Sequence, residues 1–207
     1  MTTLLHLNVS PRGDASTSRR AGRLVRQRLA VERGGLTVIE RDLATEPLPP
    51  IDAAFTHASL AVASSCDDAD SAALALSESL IAKLEAADIV LITTPMHNFT
   101  VPASLKTWID LVVRPERTFA RTPQGKQGML RDRPVLAVVS CGGRFGDGPG
   151  GQQDFFTPYL KYVLGTIGLS RVEVVRMESM TRGPDHVALG LDRLQAWCDV
   201  AIPAVLA

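Results

Sequence analysis

Five short apolar segments alternate along the chain with segments of helical periodicity, and this alternation limits the possible folds more than any other feature. The apolar segments cover residues 3–9, 36–43, 89–94, 133–140 and 171–178. Two of them, the third and the fourth, are continuously apolar, which is typical of strands that are buried on both faces. Repeated strand–helix alternation predicts a parallel sheet with helices on both faces, an α/β fold.

The segments between the predicted strands carry apolar residues at helical spacing. We expect helices over residues 18–33, 68–87, about 153–167 and 184–202, and another with Pro102 in its first turn. The segment 52–67 is ambiguous and is interpreted as a short helix and a loop. Five strands with this spacing fit the flavodoxin-like order 2-1-3-4-5. We expect one domain over residues 1–207.

Charge and cysteine content exclude several classes of function. The chain has 22 basic and 22 acidic residues, so it lacks the basic excess typical of proteins that bind nucleic acid or anionic membranes. Its three cysteines, Cys66, Cys141 and Cys198, match no metal-binding spacing. The sequence does not begin like a signal peptide, and its apolar runs are too short to span a bilayer. We therefore expect a cytoplasmic protein without a metal.

A hydroxyl-rich segment, SPRGDASTSRR, follows the first predicted strand. In a sheet of this order, ligands bind outside the carboxyl ends of the strands. Hydroxyls and free N–H groups at a helix N-terminus can hold a phosphate; the candidates are Ser10, Ser16, Thr17 and Ser18. Because the segment has no Gly-x-Gly-x-x-Gly motif and no P-loop lysine, a phosphomonoester fits better than a nucleoside triphosphate. The alternative is that Ser16 or Ser18 only caps the helix.

The third strand is followed by PMHNF, in which Met96 and Phe99 are apolar and Asn98 is both a donor and an acceptor. A flat heteroaromatic ring can use apolar contacts on its faces and an amide side chain at its polar edge. His97 has a weaker claim to a role, because a single histidine in a loop is usually just exposed.

The fourth strand leads into SCGGRFGDGPGGQQ, which has six glycines in 14 residues. Glycine lets the backbone approach a ligand closely, and the N–H groups of Gly142 and Gly143 can point at a carbonyl or at developing negative charge. The alternative is a mobile loop. Cys141 is interpreted as a small apolar residue rather than a nucleophile. The sequence contains binding groups but no catalytic triad or carboxylate pair, which indicates a cofactor that carries its own chemistry.

Taken together, these segments resemble the FMN-dependent NADH:azoreductase family, the flavodoxin-like quinone reductases of bacteria. The likeness runs through LLHLNVSPRGDASTS, PMHNFTVPASLKTWIDLVVRPERTF, SCGGRFGDGP and TPYLKYVLGTIGL. It implies that Ser10, Ser16, Thr17 and Ser18 hold the FMN phosphate. It also implies that the flavin ring lies against Met96, His97, Asn98 and Phe99, with its pyrimidine side near Ser140, Cys141, Gly142 and Gly143.

The chain departs from the family at positions near the ring and the substrate. Members often carry Tyr in place of His97, Arg in place of Cys141, and His in place of Phe145. The segment 113–132 falls where the family builds its homodimer and the partner's share of the pocket. Phe119 of this segment is kept, whereas a neighbouring aromatic is here Arg121. We expect Phe119, Arg121 and Phe145 to contribute to the substrate pocket, and Phe119 to be exposed in an isolated chain.

The resemblance implies a homodimeric, FMN-dependent NAD(P)H oxidoreductase that reduces quinones and aromatic azo compounds in two-electron, ping-pong steps. In this interpretation the flavin carries the chemistry, and no side chain acts as a nucleophile. Two alternatives stay open. One is a one-electron carrier of the flavodoxin type, and the other is a flavin-binding regulatory subunit without its own turnover.

Overall fold

A five-stranded parallel sheet forms the centre of the molecule in a computed structural model that describes residues 1–61 and 67–206. Its strands are β1 (Thr2–Asn8), β2 (Leu36–Asp42), β3 (Ile89–Pro95), β6 (Val135–Ser140) and β9 (Val172–Met177). Four shorter strands lie in the connections: β4 (Phe119–Thr122), β5 (Gly125–Gly128), β7 (Arg144–Phe145) and β8 (Gly151–Gln152). The order β2-β1-β3-β6-β9 confirms the predicted order 2-1-3-4-5.

Helices cover both faces of the sheet, as the alternation predicts. They are α1 (Thr17–Arg33), α2 (Ala53–Leu60), α3 (Asp68–Ala86), α4 (Ala103–Val112), α5 (Phe156–Gly165) and α6 (Pro184–Leu206). One apolar cluster joins α1 and α6 to one face of the sheet. The other cluster joins α3, α4 and α5 to the opposite face, where Trp108 and Phe156 are fully buried. The two central strands, β3 and β6, are buried along almost their whole length because helices lie on both sides of them.

Local signals in the sequence set the ends of the helices. Helix α1 begins after Ser16, whose hydroxyl accepts the N–H of Arg19, and ends at Gly34, which has the positive φ of 63° that favours glycine. Helix α3 begins with a capping box in which the side chains of Asp67 and Asp70 accept each other's backbone N–H groups. Such caps satisfy N–H groups that the helix itself leaves without partners.

Two features of the structure go beyond the sequence-based expectations. The segment 113–132 contains an antiparallel hairpin, formed by β4 and β5. Helix α6 continues to Leu206 and includes Pro203, beyond the predicted end at residue 202. In the ambiguous segment 52–67, α2 confirms the short helix, and residues 62–66 lie outside the described residues.

Candidate functional site

The carboxyl ends of the central strands are level with one another, so the segments that follow them meet at one edge of the sheet. Asn8 is paired with Thr93, Pro95 with Ser140, and Ser140 in turn with Met177. The three segments selected from the sequence therefore converge on the switch point between β1 and β3, where ligands of such sheets bind.

The hydroxyl-rich segment forms a compact, polar entry to α1. The side chains of Ser10, Ser16 and Ser18 are buried, and the Oγ atoms of Ser16 and Ser18 are 3.0 Å apart. Ser16 is the cap of α1, since its Oγ accepts the N–H of Arg19 at 3.3 Å. Ser16 therefore caps the helix, and this role does not exclude a ligand, because the N–H groups of the first helical turn have no intrahelical acceptors. Thr17 is half-buried beside them.

Arg19 holds the polar entry in place rather than offering a free positive charge. Its guanidinium group donates to the carbonyl of Ser10 at 3.0 and 2.8 Å and forms an ion pair of 2.6 Å with Asp42 at the end of β2. Burial disfavours the ionised form of Asp42, but hydrogen bonds from Arg19, Ala44 and Thr45 outweigh this effect and lower the pKa of the carboxyl. An anion here would therefore be held mainly by hydroxyls and amides, as the sequence predicts.

The chain leaves β3 through a tight, strained turn. The N–H of Met96 still pairs with the carbonyl of Ser140 at 2.9 Å, and His97 and Thr100 then exchange two backbone hydrogen bonds of 3.1 Å. Between them, Asn98 has a φ of 46° and Phe99 a φ of 71°. Positive φ at both central positions is typical of a type I′ turn, where the second position is usually glycine.

Phe99 occupies that glycine position with its side chain 46% exposed. A residue other than glycine costs about 1–3 kcal/mol in such a backbone conformation. The strained turn places three exposed groups, the ring of Phe99, the amide of Asn98 and the imidazole of His97, at the edge of the sheet where ligands are expected. Met96 packs on the core below them. Strain of this kind is common where a backbone is shaped for a ligand.

Cys141 belongs to the core. Its N–H donates to Met177 at 2.8 Å, its carbonyl accepts the N–H of Met180 at 2.9 Å, and its side chain is 1% exposed. Burial raises the pKa of its thiol to about 12, so the thiol stays protonated at neutral pH. This agrees with its interpretation as a small apolar residue. Because its backbone groups are paired and its side chain is buried, Cys141 offers few groups that a ligand can contact.

The two glycines that follow are different. Their carbonyls accept hydrogen bonds from Ser179 and Thr181, whereas, among the described residues, their own N–H groups have no acceptor. These N–H groups follow Ser140 and Cys141, and Ser140 is half-buried beside the turn at the end of β3. The pair Gly142–Gly143 therefore provides two donors at the carboxyl edge of the sheet, beside the turn that follows β3.

The rest of the glycine-rich loop is folded back on itself. Strands β7 and β8 pair in parallel, and a Cβ added at Gly143 would lie only 2.5 Å from Oε1 of Gln152. Phe145 is half-buried against the core, and its N–H donates to Glu178 at 3.2 Å. The loop thus has a defined conformation that depends on close contacts at glycine positions.

Phe119 and Arg121 lie at the opposite edge of the sheet. The hairpin that contains them packs on the turn after α5, where Leu130 donates to the carbonyl of Ile167 at 3.1 Å. These two edges, at the amino and carboxyl ends of the strands, lie about 20 Å apart, which is the length of β3. In one chain, the structure therefore does not bring Phe119 and Arg121 to the site. Phe119 is also buried, 4% exposed with Lys126 4.8 Å from its ring centre, so the expectation that it is exposed in an isolated chain is wrong.

A buried polar network below the site was missed at the level of sequence. His6 Nε2 lies 3.0 Å from Oγ1 of Thr93, which donates to Asn8 Oδ1 at 2.9 Å, and Asn8 donates to Glu40 at 2.7 Å. Burial, with smaller contributions from nearby arginines, lowers the pKa of His6 to about 3, so this imidazole is neutral. The sequence signal for this network is a pair of polar residues, His6 and Asn8, at alternate positions of the otherwise apolar strand β1.

The residues at this edge fit FMN. Buried hydroxyls at the start of α1 suit its phosphate, the strained turn suits its flat ring, and the amides of Gly142 and Gly143 suit its carbonyl-bearing edge. Within the described residues, no group of three or more His, Cys, Asp or Glu side chains is placed to hold a metal ion. No described helix is long and apolar enough to cross a bilayer.

Comparisons with known proteins agree with this geometry. A family model described as having a flavodoxin-like fold matches residues 2–200. The chain is 62% identical to the FMN-dependent NADH:quinone oxidoreductase 2 of Cupriavidus pinatubonensis, over 95% of this chain and 96% of that protein. It is 45% identical to the FMN-dependent NADH:quinone oxidoreductase 5 of Burkholderia lata, over 94% and 93% of the two chains.

Solved structures show the same fold. An azoreductase from Bacillus anthracis superimposes with a TM-score of 0.83 at 24% identity and covers 96% of this chain and 99% of its own. An FMN-dependent NADH-azoreductase from the same species, solved in complex with FMN, has a TM-score of 0.79 at 19% identity, over 96% and 98% of the two chains. The family model and the close relatives lead to one conclusion: the chain belongs to the flavodoxin-like family that includes the FMN-dependent NADH:quinone oxidoreductases.

Proposed function

We propose that this protein is an FMN-dependent oxidoreductase that takes hydride from NADH or NADPH and reduces quinones and aromatic azo compounds. The observation that carries the proposal is the convergence of buried hydroxyls, a strained aromatic turn and two amides without acceptors at the switch point of the sheet. The names of relatives up to 62% identical support the same activity. The catalytic unit in this proposal is a single domain that spans residues 1–207, located in the cytoplasm.

The chain's own residues bind and orient. Ser10, Ser16, Thr17 and Ser18 hold the phosphate together with the free N–H groups of the first turn of α1. Met96, Asn98 and Phe99 support the ring, and the amides of Gly142 and Gly143 stabilise negative charge that gathers at its pyrimidine edge. When bound, FMN supplies the redox chemistry, accepting hydride from the nucleotide and giving two electrons to the acceptor. No protein nucleophile takes part.

The proton that the acceptor needs comes from water or from His97. The imidazole of His97 is exposed beside the strained turn, within the segment that faces the proposed ring site. Comparison of His97→Gln with the wild-type protein distinguishes the two sources, because only a role for the imidazole makes acceptor reduction depend on this side chain.

An absorption spectrum of the purified protein, followed by anaerobic titration with NADH and NADPH, tests the proposal. The enzyme should contain FMN, and its flavin absorption should bleach rapidly with one of the nucleotides and return when a quinone is added. A flavodoxin-type carrier would retain its colour in the presence of either nucleotide alone. A regulatory subunit would bind FMN and show negligible turnover.

The homodimer is also part of this proposal. Phe155 at the start of α5, Met129 after β5 and Tyr162 on α5 are exposed large apolar side chains, 56%, 52% and 77% exposed. Exposed side chains of this kind are common at protein interfaces. Because the hairpin with Arg121 lies far from the site of its own chain, it can contribute only to the site of a partner.

Light scattering at micromolar concentration tests the dimer. Tyr162→Lys should weaken it by burying an unpaired charge, whereas Val200→Lys on α6, on the other face of the sheet, serves as the control, since Val200 is 74% exposed. A wild-type monomer with full turnover would contradict the shared site.

A further inference from the structure

A second cavity lies next to the proposed flavin site, where β9 ends and α6 begins. Its volume is about 530 Å³. The carboxyl end of β9, the first three turns of α6 and Arg144 of the glycine-rich loop form its walls. None of the residues selected from the sequence for the flavin site lines it, so it has no role in the function proposed so far.

The cavity is strongly positive. One carboxylate, Glu178, lines it, against four arginines: Arg144, Arg176, Arg182 and Arg193. Arg176 is already paired with Asp154 at 2.6 Å and with Glu178 at 3.2 Å. Among the described residues, the other three guanidinium groups form no ion pair and no side-chain hydrogen bond. Three free guanidinium groups around one cavity are suited to a multiply charged anion such as a phosphate.

The segment 177–181, which contributes Met177, Glu178 and Ser179 to the wall of this cavity, is also bonded to the glycine pair. Ser179 donates its N–H to the carbonyl of Gly143 at 3.0 Å, and Thr181 donates its hydroxyl to the carbonyl of Gly142 at 3.2 Å. Ser179 itself is buried and has a φ of 64°, so the wall follows a constrained path. The relative position of the two sites is therefore defined by backbone contacts rather than by long side chains.

The separation of the two sites suits one extended ligand. Strands β6 and β9 are neighbours, and adjacent strands are about 4.8 Å apart. The basic cavity thus begins one to two strand spacings beyond the glycine pair, a distance that a ribose and a phosphate can span. A ligand with a flat ring at one end and phosphates beyond a sugar would reach both sites.

We propose that the basic cavity binds the pyrophosphate of the pyridine nucleotide while its nicotinamide ring lies at the flavin site. The assignment rests on the proposed function and adds to it the residues that recognise the hydride donor. Arg144, Arg182 and Arg193 are the phosphate-binding residues, and they do not contact FMN.

The test compares Arg182→Ala, Arg193→Ala and the double variant with Arg131→Ala. Arg131 is a matched control because it is exposed, carries the same charge and lies at the opposite edge of the sheet, beside Asp88. Three probes are used: NADH, the neutral donor 1-benzyl-1,4-dihydronicotinamide, which has no phosphate, and ADP-ribose, which has no nicotinamide. Turnover is measured with the two donors, and the affinity for ADP-ribose is measured by calorimetry.

We expect the double variant to raise the Kd for ADP-ribose and the KM for NADH by about a hundredfold or more, because each of the two arginines loses charge-assisted hydrogen bonds worth about tenfold or more in affinity. Turnover with the neutral donor and the FMN content should not change, and Arg131→Ala should behave like the wild type. Unchanged affinity of the double variant for ADP-ribose would overturn the assignment. An equal loss with both donors would also overturn it, by showing a structural role.

Two further outcomes separate this inference from the proposed function. If only the KM for a sulfonated azo acceptor rises, the cavity serves the acceptor and the nucleotide assignment is wrong. If the wild type binds ADP-ribose through these arginines but oxidises neither NADH nor NADPH, the binding assignment stands and the proposed oxidoreductase function fails.

Discussion

At the level of single residues, the candidate site depends on buried polar groups and on backbone positions that are held under strain. The hydroxyls of Ser16 and Ser18 contact each other at the entry of α1, and Phe99 adopts a backbone conformation that favours glycine. Cys141 and Phe119 contrast with them, because both are packed into the core of their own chain. Side chains of similar chemistry thus have different roles, which burial and backbone geometry decide.

Removing both hydroxyls, as Ser16→Ala with Ser18→Ala, should weaken FMN binding. A hydrogen bond to a charged group contributes about 1.5–3 kcal/mol, so we expect a loss of roughly ten- to a hundredfold per bond. Fluorescence titration of the apoprotein with FMN measures the affinity. The loss of the Ser16 cap should also cost about 1 kcal/mol in the free energy of unfolding. Ser59→Ala, a half-buried serine in α2, is the control, and unchanged FMN affinity in the double variant would show that the phosphate lies elsewhere.

Phe99→Gly should separate ligand contact from strain. Glycine adopts a φ of 71° without a steric penalty, so the apoprotein should become more stable by up to about 1 kcal/mol. The affinity for FMN should fall, because the aromatic contact is lost. Phe155→Gly is the matched control, since Phe155 is also exposed but has a φ of −100°, and there glycine should destabilise. Chemical denaturation of both apoproteins measures the two effects, and destabilisation by Phe99→Gly would contradict the strain.

At the level of elements, the close approach of α1 to the sheet positions the phosphate segment. Gly22 makes this approach possible, because a Cβ there would lie 2.7 Å from Cγ2 of Thr93 and 3.1 Å from Nε2 of His6. Thr93 and His6 belong to the buried polar network that links β1 and β3. Helix α1, its entry and the switch point therefore form one connected unit.

Gly22→Ala should shift α1 away from the sheet. We expect a loss of about 1–3 kcal/mol in the free energy of unfolding from overpacking, together with weaker FMN binding, since the entry of α1 moves with the helix. Gly165→Ala is the control, because a Cβ at Gly165 meets nothing within 4 Å in a helix of similar amphipathic character. Thermal unfolding and FMN titration of both variants measure the two effects. Equal stability of Gly22→Ala and the wild type would show that the space between α1 and the sheet can accommodate a methyl group.

At the level of the whole molecule, one edge of the sheet gathers every group proposed for catalysis, and the opposite edge holds the hairpin proposed to serve a partner. Both substrates must approach the single surface formed by the strained turn and the glycine pair. The basic cavity beside this surface is suited to an anionic donor, and a neutral quinone does not need it. The two substrates therefore compete for the same ring site.

Steady-state kinetics test this shared surface. Nicotinamide and acceptor must each come within about 3–3.5 Å of the same ring to react, so they cannot bind productively together. Double-reciprocal plots against NADH at several quinone concentrations should be parallel, and high quinone should inhibit competitively against NADH. Arg121→Ala should change the KM for the nucleotide or for the acceptor more than it changes the affinity for FMN, because in the proposed dimer the hairpin reaches only the partner's site. Intersecting lines would mean that both substrates bind at once, which would exclude a single shared surface.

The sheet, its strand order and the three segments at its carboxyl edge could all be predicted from the amino-acid sequence. Apolar runs, helical periodicity and caps such as Ser16 are local properties, and the strand alternation left one parallel arrangement to expect. The interpretation of Cys141 as a core residue was also correct. These features follow from which residues avoid water and which satisfy backbone groups, and both can be read along the chain.

Contacts between side chains that are distant in the sequence emerge only in the folded molecule. The hairpin with Phe119 and Arg121 lies at the edge of the sheet away from its own site, because the segment after α4 packs on the turn after α5. The His6–Thr93–Asn8–Glu40 network joins residues up to 87 positions apart, and the basic cavity combines an arginine of the glycine-rich loop with arginines of β9, of α6 and of the segment between them. Such groupings depend on how elements pack in space, which local sequence patterns do not specify.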